Sequence, residues 1–187
     1  MKTALVVDDE PLIRRQVAET LKNYGFDEIV EAGNGQEALN LALAKRPLLI
    51  VMDVTMPVLD GISAAEKIGK QAPAPIVLLT GNADAATIER ARLAGVMSYV
   101  VKPFRDVQLL PAVDLAIHHF MEITTLRDEV SALRETLEAR KTIEKAKGLL
   151  MKKGLSEPEA YRRMQKLAMD KRKSLKEVAE AILLMEE

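Results

Sequence analysis

The chain has 187 residues, 48% of them apolar, which is enough for one ordinary domain and a smaller second one. It contains no cysteine, which excludes disulfides, thiolate zinc sites and cysteine nucleophiles. No apolar run approaches the roughly 18 residues of a membrane helix, so we expect no membrane partner and a cytoplasmic location. Residues 1–133 hold 13 Lys/Arg and 18 Asp/Glu, whereas residues 134–187 hold 14 and 10. The C-terminal segment is therefore the one suited to a polyanion.

Short apolar runs alternate with helix-periodic segments along the first hundred residues. The runs predict strands at residues 3–7, 28–32, 48–52, 75–79 and 98–101. Helices are predicted after Pro11, after the turn at 33–35, over 62–71 and over 85–94, and a fifth helix follows the last strand. Strands that alternate with helices across short loops predict a doubly wound, parallel α/β sheet.

Polar residues follow four of these strands: Asp8 and Asp9, then Asp53, Thr80 and Lys102. Because parallel strands end at one edge of the sheet, we expect these side chains to converge. Carboxylates without His or Cys favour Mg²⁺, and a lysine beside them attracts a phosphoryl group. Asp53 is then the predicted nucleophile of aspartyl-phosphate chemistry, with Thr80 hydrogen-bonded to a phosphoryl oxygen. The alternative is that the acids cap helices and Lys102 is a surface lysine.

At these residues the chain resembles the receiver domain of two-component response regulators, over residues 1–120. Four motifs carry the resemblance: Val6-Val7-Asp8-Asp9-Glu10-Pro11, Met52-Asp53-Val54-Thr55-Met56-Pro57 with Asp60-Gly61, Leu79-Thr80-Gly81, and Val101-Lys102-Pro103-Phe104. The resemblance implies a flavodoxin-like fold in which Asp53 is phosphorylated by a sensor histidine kinase.

The same resemblance assigns further roles by position. It implies that Mg²⁺ is held by Asp8, Asp9, Asp53 and the backbone carbonyl of Thr55, and that Thr80 and Lys102 contact the phosphoryl group. Tyr99 matches an aromatic residue that rotates inward when Thr80 moves; the alternative is a strand residue packed on a neighbouring helix. The Lys102-Pro103 bond is expected to be cis.

A heptad pattern follows in residues 121–138, which we assign to a coiled-coil linker helix. Apolar residues recur there at alternating three- and four-residue steps, as is typical of a coiled coil. We call these residues the seam: Ile123, Leu126, Val130, Leu133 and Leu137. Two arrangements fit the seam, pairing with a second copy or packing against the same chain.

Residues 139–187 are predicted to form an all-α domain of three helices. The first continues from the linker helix and ends at Gly154, and capping boxes at 156–159 and 174–177 begin the others. The second helix is expected to bury Ala160, Tyr161, Met164, Leu167 and Ala168. Through residues 146–151, 156–161 and 175–179, this segment resembles the ANTAR output domain of transcription antiterminators. The resemblance implies a dimeric module that binds paired RNA stem-loops in a leader transcript and prevents formation of a terminator.

An RNA reader needs cations for the phosphates and a planar group for the bases. The candidate cations in the tail are Lys147, Arg162, Arg163, Lys166, Lys171, Arg172 and Lys173. Our leading hypothesis is a phosphoacceptor regulator that catalyses only its own phosphorylation and dephosphorylation. In this hypothesis phosphorylation drives homodimerisation and RNA binding. The alternatives are a tail that binds a protein partner or DNA, and a phosphatase with an aspartate nucleophile.

Overall fold

The structure, a computed structural model, describes residues 1–82 and 84–185. The chain divides into two compact units, one from Met1 to Thr124 and the other from Thr125 onward. The finer division into residues 1–120, 121–138 and 139–187 stays a prediction.

The first unit is built on a five-stranded parallel sheet with the strand order β2-β1-β3-β4-β5. Its strands are β1 (Thr3–Val7), β2 (Glu28–Ala32), β3 (Leu49–Asp53), β4 (Ile76–Thr80) and β5 (Ser98–Val101). The described residues also form seven helices: α1 (Pro11–Tyr24), α2 (Gly35–Lys45), α3 (Gly61–Gln71), α4 (Ala85–Leu93), α5 (Asp106–Lys152), α6 (Glu157–Lys171) and α7 (Leu175–Leu184). The predicted doubly wound α/β fold is confirmed.

Helices cover both faces of this sheet because successive strand residues point to opposite sides. On one face, Ile50 and Met52 of β3 pack in a cluster with residues of α2, α3 and α4. On the other face, Leu49 and Val51 pack with residues of α1 and α5, such as Leu109. A sheet buried on both sides explains why its central strands are continuous apolar runs in the sequence.

Local signals set where the helices begin and end. Asn34 and Asp60 accept hydrogen bonds from the first backbone N–H groups of α2 and α3, which leaves fewer of those donors unsatisfied. Gly25 closes α1 at a φ of 113°, a conformation that a residue without Cβ adopts at little cost. Asn34 and Asp60 lie in the loops that follow β2 and β3, at the carboxyl edge of the sheet.

Two predicted strands were misplaced by one residue. β3 and β4 each begin and end one residue later than expected, so Asp53 and Thr80 are the last residues of their strands. The pairing of Asp53 with Leu79 across the sheet extends β3 to this residue, which its polarity did not indicate. The first tail helix continues from the linker, as predicted, and the structure joins the fifth receiver helix to them in one helix, α5, with Pro111 inside it.

The tail has its own small core, in which Ala146 and Leu150 of α5 pack with Ala160, Met164 and Val178. Both predicted capping boxes are present at the starts of α6 and α7. The predicted burial of Tyr161 was wrong, because this side chain is 41% exposed. Tyr161 follows Ala160 directly, and one step along a helix turns a side chain by about 100°, away from the buried stripe.

Candidate functional site

The predicted polar residues of the sheet meet at its carboxyl edge. Asp8 follows β1, Asp53 ends β3, and both are almost completely buried. Lys102 follows β5, and its backbone N–H donates to the carbonyl oxygen of Thr80 at 2.8 Å. Parallel pairing of β1, β3, β4 and β5 therefore brings together residues that are 94 positions apart in the sequence.

Lys102 connects the two buried carboxylates. Its Nζ lies 2.6 Å from Oδ2 of Asp8 and 2.6 Å from Oδ1 of Asp53. The lysine side chain is 18% exposed, so this charge is shielded from water far more than a surface ion pair. The alternative in which Lys102 is an ordinary surface lysine does not agree with this geometry.

The remaining carboxylate oxygens are held by the backbone. Oδ2 of Asp53 accepts a hydrogen bond from the N–H of Thr55 at 2.7 Å, and Oδ1 of Asp8 accepts one from Glu10 at 2.9 Å. Burial raises the pKa of Asp53 above its usual range, and the hydrogen bond from Lys102 offsets only part of this shift. Burial alone lowers the pKa of Lys102, but the hydrogen bonds to Asp53 and Asp8 outweigh it and the pKa is raised.

The donor set at this edge fits Mg²⁺. Two buried carboxylates and one ammonium leave a negative charge, and Mg²⁺ needs only one or two carboxylates because it keeps several waters. The other two predicted ligands lie close by in sequence, but Asp9 and Thr55 are exposed. In the described part of the chain, no three Asp, Glu, His or Cys side chains form a metal-binding group. A Mg²⁺ ion at this edge would therefore need backbone oxygen and water as further ligands.

Thr80 is buried at the same edge of the sheet, and its side chain is hydrogen-bonded to Asn82. Its hydroxyl donates to the carbonyl oxygen of Asn82 at 2.6 Å and accepts from the Asn82 N–H at 3.2 Å. Tyr99 lines the same small depression as Thr80, together with Ile88 of α4, and its side chain is 44% exposed. The peptide bond between Lys102 and Pro103 is cis, as predicted.

Two residues support the site in ways that the sequence analysis did not assign. A Cβ on Gly61 would lie 2.0 Å from the carbonyl oxygen of Asp53, so only glycine allows α3 to start this close to β3. Arg14 donates from Nη1 to the carbonyl oxygen of Asp8 at 2.8 Å and pairs with Glu31. The Asp60-Gly61 pair was a visible signal, whereas nothing in the sequence marked Arg14.

The predicted cations of the tail fall into two groups. Lys147 is 13% exposed and lies 2.7 Å from both Glu144 and Glu157, and Lys173 lies 2.7 Å from Glu177. Lys147 joins α5 to α6, and Lys173 contacts the acidic residue of the capping box of α7. The others are exposed and form no ion pair with the described residues: Arg162, Arg163, Lys166, Lys171 and Arg172. Of the predicted RNA contacts, these five exposed cations are therefore the better candidates for binding phosphate.

Comparisons with known proteins identify both units. A model of the response regulator receiver domain matches residues 4–114, and a model of the ANTAR domain matches residues 131–183. The chain belongs to the response regulators with an ANTAR domain. It is 49% identical over 183 residues to the transcriptional regulatory protein PdtaR of Mycobacterium tuberculosis, which covers 97% of this chain and 89% of that protein.

Solved structures give the same fold for the receiver of this response regulator. The chemotaxis response regulator CheY4 of Vibrio cholerae is 32% identical, with a TM-score of 0.58 over 62% of this chain and 98% of that one. The receiver domain of the putative response regulator NarL from Mycobacterium tuberculosis is 28% identical, with a TM-score of 0.56 over 62% and 95%. None of the helices in the described part of the chain combines the length and apolar character needed to span a bilayer.

Proposed function

We propose that this response regulator is phosphorylated on Asp53 by a sensor histidine kinase, then pairs with a second copy and binds RNA stem-loops. The observation that carries the first step is the contact of Lys102 with both Asp53 and Asp8, because it holds a carboxylate nucleophile beside a fixed cation. The receiver domain implies the phosphodonor, and the ANTAR domain implies RNA as the target of the tail.

The chemical step in this proposal is phosphoryl transfer to a carboxylate. An oxygen of Asp53 bonds to phosphorus while the bond from phosphorus to the kinase histidine nitrogen breaks, and the electron pair leaves with that nitrogen. Lys102 then moves its contact from Asp53 to a phosphoryl oxygen. Asp8, Asp9, Asp53 and the Thr55 carbonyl would hold Mg²⁺, which when bound supplies further positive charge to the transferring group.

Thr80 and Tyr99 are proposed as the switch. The Thr80 hydroxyl must release the Asn82 carbonyl before it donates to a phosphoryl oxygen. Tyr99 borders the same depression, so a shift of Thr80 opens the direction in which Tyr99 turns inward. Phosphorylation then biases two arrangements of the Thr80 and Tyr99 side chains.

The output step rests on the seam. Its five side chains are between 37% and 64% exposed, which favours pairing with a second copy over packing against the same chain. Two paired tails engage two stem-loops together, so moderate affinities combine through effective concentration. Binding of the paired stem-loops prevents a terminator from forming in the transcript. We propose that this occurs in the cytoplasm.

The test uses the full chain treated with acetyl phosphate and Mg²⁺, with Asp53→Asn as the matched control. Sedimentation measures self-association, and gel shifts compare RNA with two stem-loops, RNA with one, and duplex DNA at two salt concentrations. Phosphorylation is expected to increase dimer formation and to tighten binding of the paired stem-loops by about tenfold or more. The control should not respond.

Three other outcomes would change the proposal. If neither self-association nor RNA binding responds to phosphorylation, the proposed control by Asp53 is wrong. If duplex DNA binds as tightly as stem-loop RNA at both salt concentrations, the tail recognises phosphate alone. If neither nucleic acid binds, the output is contact with a protein partner.

A further inference from the structure

A cavity opens at the amino edge of the receiver sheet, at the opposite end of the strands from Asp53. Its volume is about 490 Å³, which lies within the usual range for small-molecule sites. Leu48 and Pro75, which precede β3 and β4, line it together with Phe120 of α5. Five strand steps of about 3.3 Å separate Leu48 from Asp53, so the cavity lies roughly 16 Å from the predicted phosphorylation site.

The walls of this cavity are mainly apolar. Tyr24 and Phe26 contribute two stacked rings, whose centroids are 6.0 Å apart. The hydroxyl of Tyr24 donates to Asp114, so Tyr24 offers a ligand its ring rather than a free hydroxyl. Prolines have no N–H group to donate, and three of them line the cavity: Pro47, Pro73 and Pro75. The walls therefore suit a hydrocarbon body with few hydrogen-bonding groups.

The charged residues among those that line the cavity are both cations, Lys2 and Arg46. They are exposed, so their charges lie at the mouth of the cavity, and neither forms an ion pair within the described part of the chain. The carboxylate of Asp27 accepts a hydrogen bond from the backbone N–H of Lys2 at 2.6 Å, but Asp27 does not line the cavity. Apolar walls with two cations at the mouth complement a ligand that has an apolar body and one anionic group.

Arg46 has a backbone conformation that arginine rarely adopts. It follows the last residue of α2 with a φ of 48° and a ψ of 59°, in the left-handed region where glycine is the usual residue. Its guanidinium makes only a long hydrogen bond, 3.5 Å from Nη1 to the carbonyl oxygen of Gln71. Glycine would end α2 at a lower conformational cost. The cation at this position therefore points to a role other than ending the helix.

We propose that this cavity binds a small amphipathic carboxylate. The hydrocarbon part of the ligand packs against Tyr24, Phe26 and Leu48. Its carboxylate contacts Lys2 and Arg46 at the mouth. This site is separate from the phosphorylation site, at the other edge of the sheet, and the inference does not rest on the proposed function.

Three probes with the same hydrocarbon chain and different charges test the ligand class: decanoate, decanol and decylamine. Isothermal titration calorimetry measures their binding to the full chain, below the concentrations at which the probes form micelles. Decanoate is expected to bind about tenfold more tightly than decanol, because its carboxylate gains charged hydrogen bonds, and decylamine should bind most weakly. Equal binding of the three probes, or binding of none, would overturn the proposal.

Arg46→Gly separates the proposed contact from the stability of the fold. Because glycine suits the left-handed conformation, the thermal unfolding midpoint should not fall, whereas the affinity for decanoate should fall about tenfold. The affinity for decanol should stay the same. Arg172→Gly is the matched control, because Arg172 follows α6 with a φ of 51° and lies outside the cavity. The proposed contact is wrong if Arg46→Gly binds decanoate as tightly as Arg172→Gly does.

Leu48→Gln tests the apolar wall. Leu48 is 53% exposed, and its backbone N–H rather than its side chain bonds to Thr3, so the fold should tolerate the change. Decanoate and decanol should both bind more weakly, by a similar factor. Unchanged binding of both would place the probes elsewhere and overturn the proposal.

Asp53→Asn distinguishes this inference from the proposed function. The variant cannot be phosphorylated at that position, but its cavity is unaltered, so it should bind decanoate as the wild type does. A loss of decanoate binding in Asp53→Asn would contradict a separate site. A chain that responds to acetyl phosphate but does not bind decanoate would overturn this inference and leave the proposed function in place.

Discussion

Replacement of Lys102 by methionine removes the cation between two buried carboxylates. The two Nζ–O distances of 2.6 Å place the oxygens of Asp8 and Asp53 no more than about 5 Å apart. At an effective dielectric constant of about 20, two charges at this separation repel by about 3 kcal/mol. Loss of one partner from a buried pair costs about 3 to 5 kcal/mol, which agrees with this figure. We therefore expect Lys102→Met to lower the unfolding free energy of the receiver by about 3 kcal/mol at pH 7.

The pH dependence of this loss follows from the carboxyl pKa values. Without Lys102, the folded-state pKa of Asp53 rises further above its unfolded value, so the folded state binds more protons than the unfolded state. Stability then increases as the pH falls through the interval between the two pKa values. The difference from wild type should be largest at pH 7 and should shrink toward pH 4.

The measurement is urea unfolding of the full chain, read by hydrogen exchange of peptides from β3 to β5. This readout separates the receiver from the tail, which need not unfold with it. The double variant Asp53→Asn/Lys102→Met is the control. It leaves only the Asp8 carboxylate, so the repulsion between two carboxylates is absent and most of the lost stability should be recovered. A loss below about 1 kcal/mol at pH 7, or an equal loss at pH 4, would refute the account of paired carboxylates.

Three further predictions concern other residues. Asp53→Asn alone should stabilise the receiver by about 1 kcal/mol at pH 7, because a neutral amide avoids burial of a charge; the gain should vanish below the ordinary carboxyl pKa of 3.8. Gly61→Ala should destabilise the receiver by about 3 kcal/mol, because its Cβ would meet the Asp53 carbonyl oxygen at 2.0 Å. Arg163→Ala should weaken RNA binding regardless of sequence and reduce the slope of affinity against salt by about one ion, as measured by gel shifts.

Each of these has a matched control. Urea titrations at pH 7 and pH 3.5 test Asp53→Asn, and a gain that persists at the lower pH would contradict the burial argument. Gly69→Ala lies in the same helix as Gly61, and its nearest neighbour is 3.9 Å away, so it should stabilise by up to about 1 kcal/mol. Arg15→Ala removes an exposed receiver charge and should not alter RNA binding; equal effects at Arg15 and Arg163 would locate the RNA elsewhere.

The spacing of apolar residues predicted most helices and strands of this protein, because an element that buries its apolar side chains repeats them at the period of a helix or a strand. Alternating strands and helices were sufficient for a parallel sheet, and a parallel sheet is sufficient to place Asp8, Asp53 and Lys102 at one edge. The prediction ended β3 one residue too early because Asp53 is polar. Asp53 belongs to the strand through its backbone pairing with β4, which the character of a side chain does not reveal.

By itself, the sequence determined the family motifs, the order of the elements and the heptad spacing of the seam, because these depend on neighbours along the chain. Tertiary structure decided what each charge contacts. Lys147 and Lys102 are both lysines near acids in the sequence, yet one bridges α5 to Glu157 of α6 and the other joins two buried carboxylates. Tyr161 was misplaced and Arg14 was missed for the same physical reason. Burial and pairing are set by segments that meet only in the folded chain.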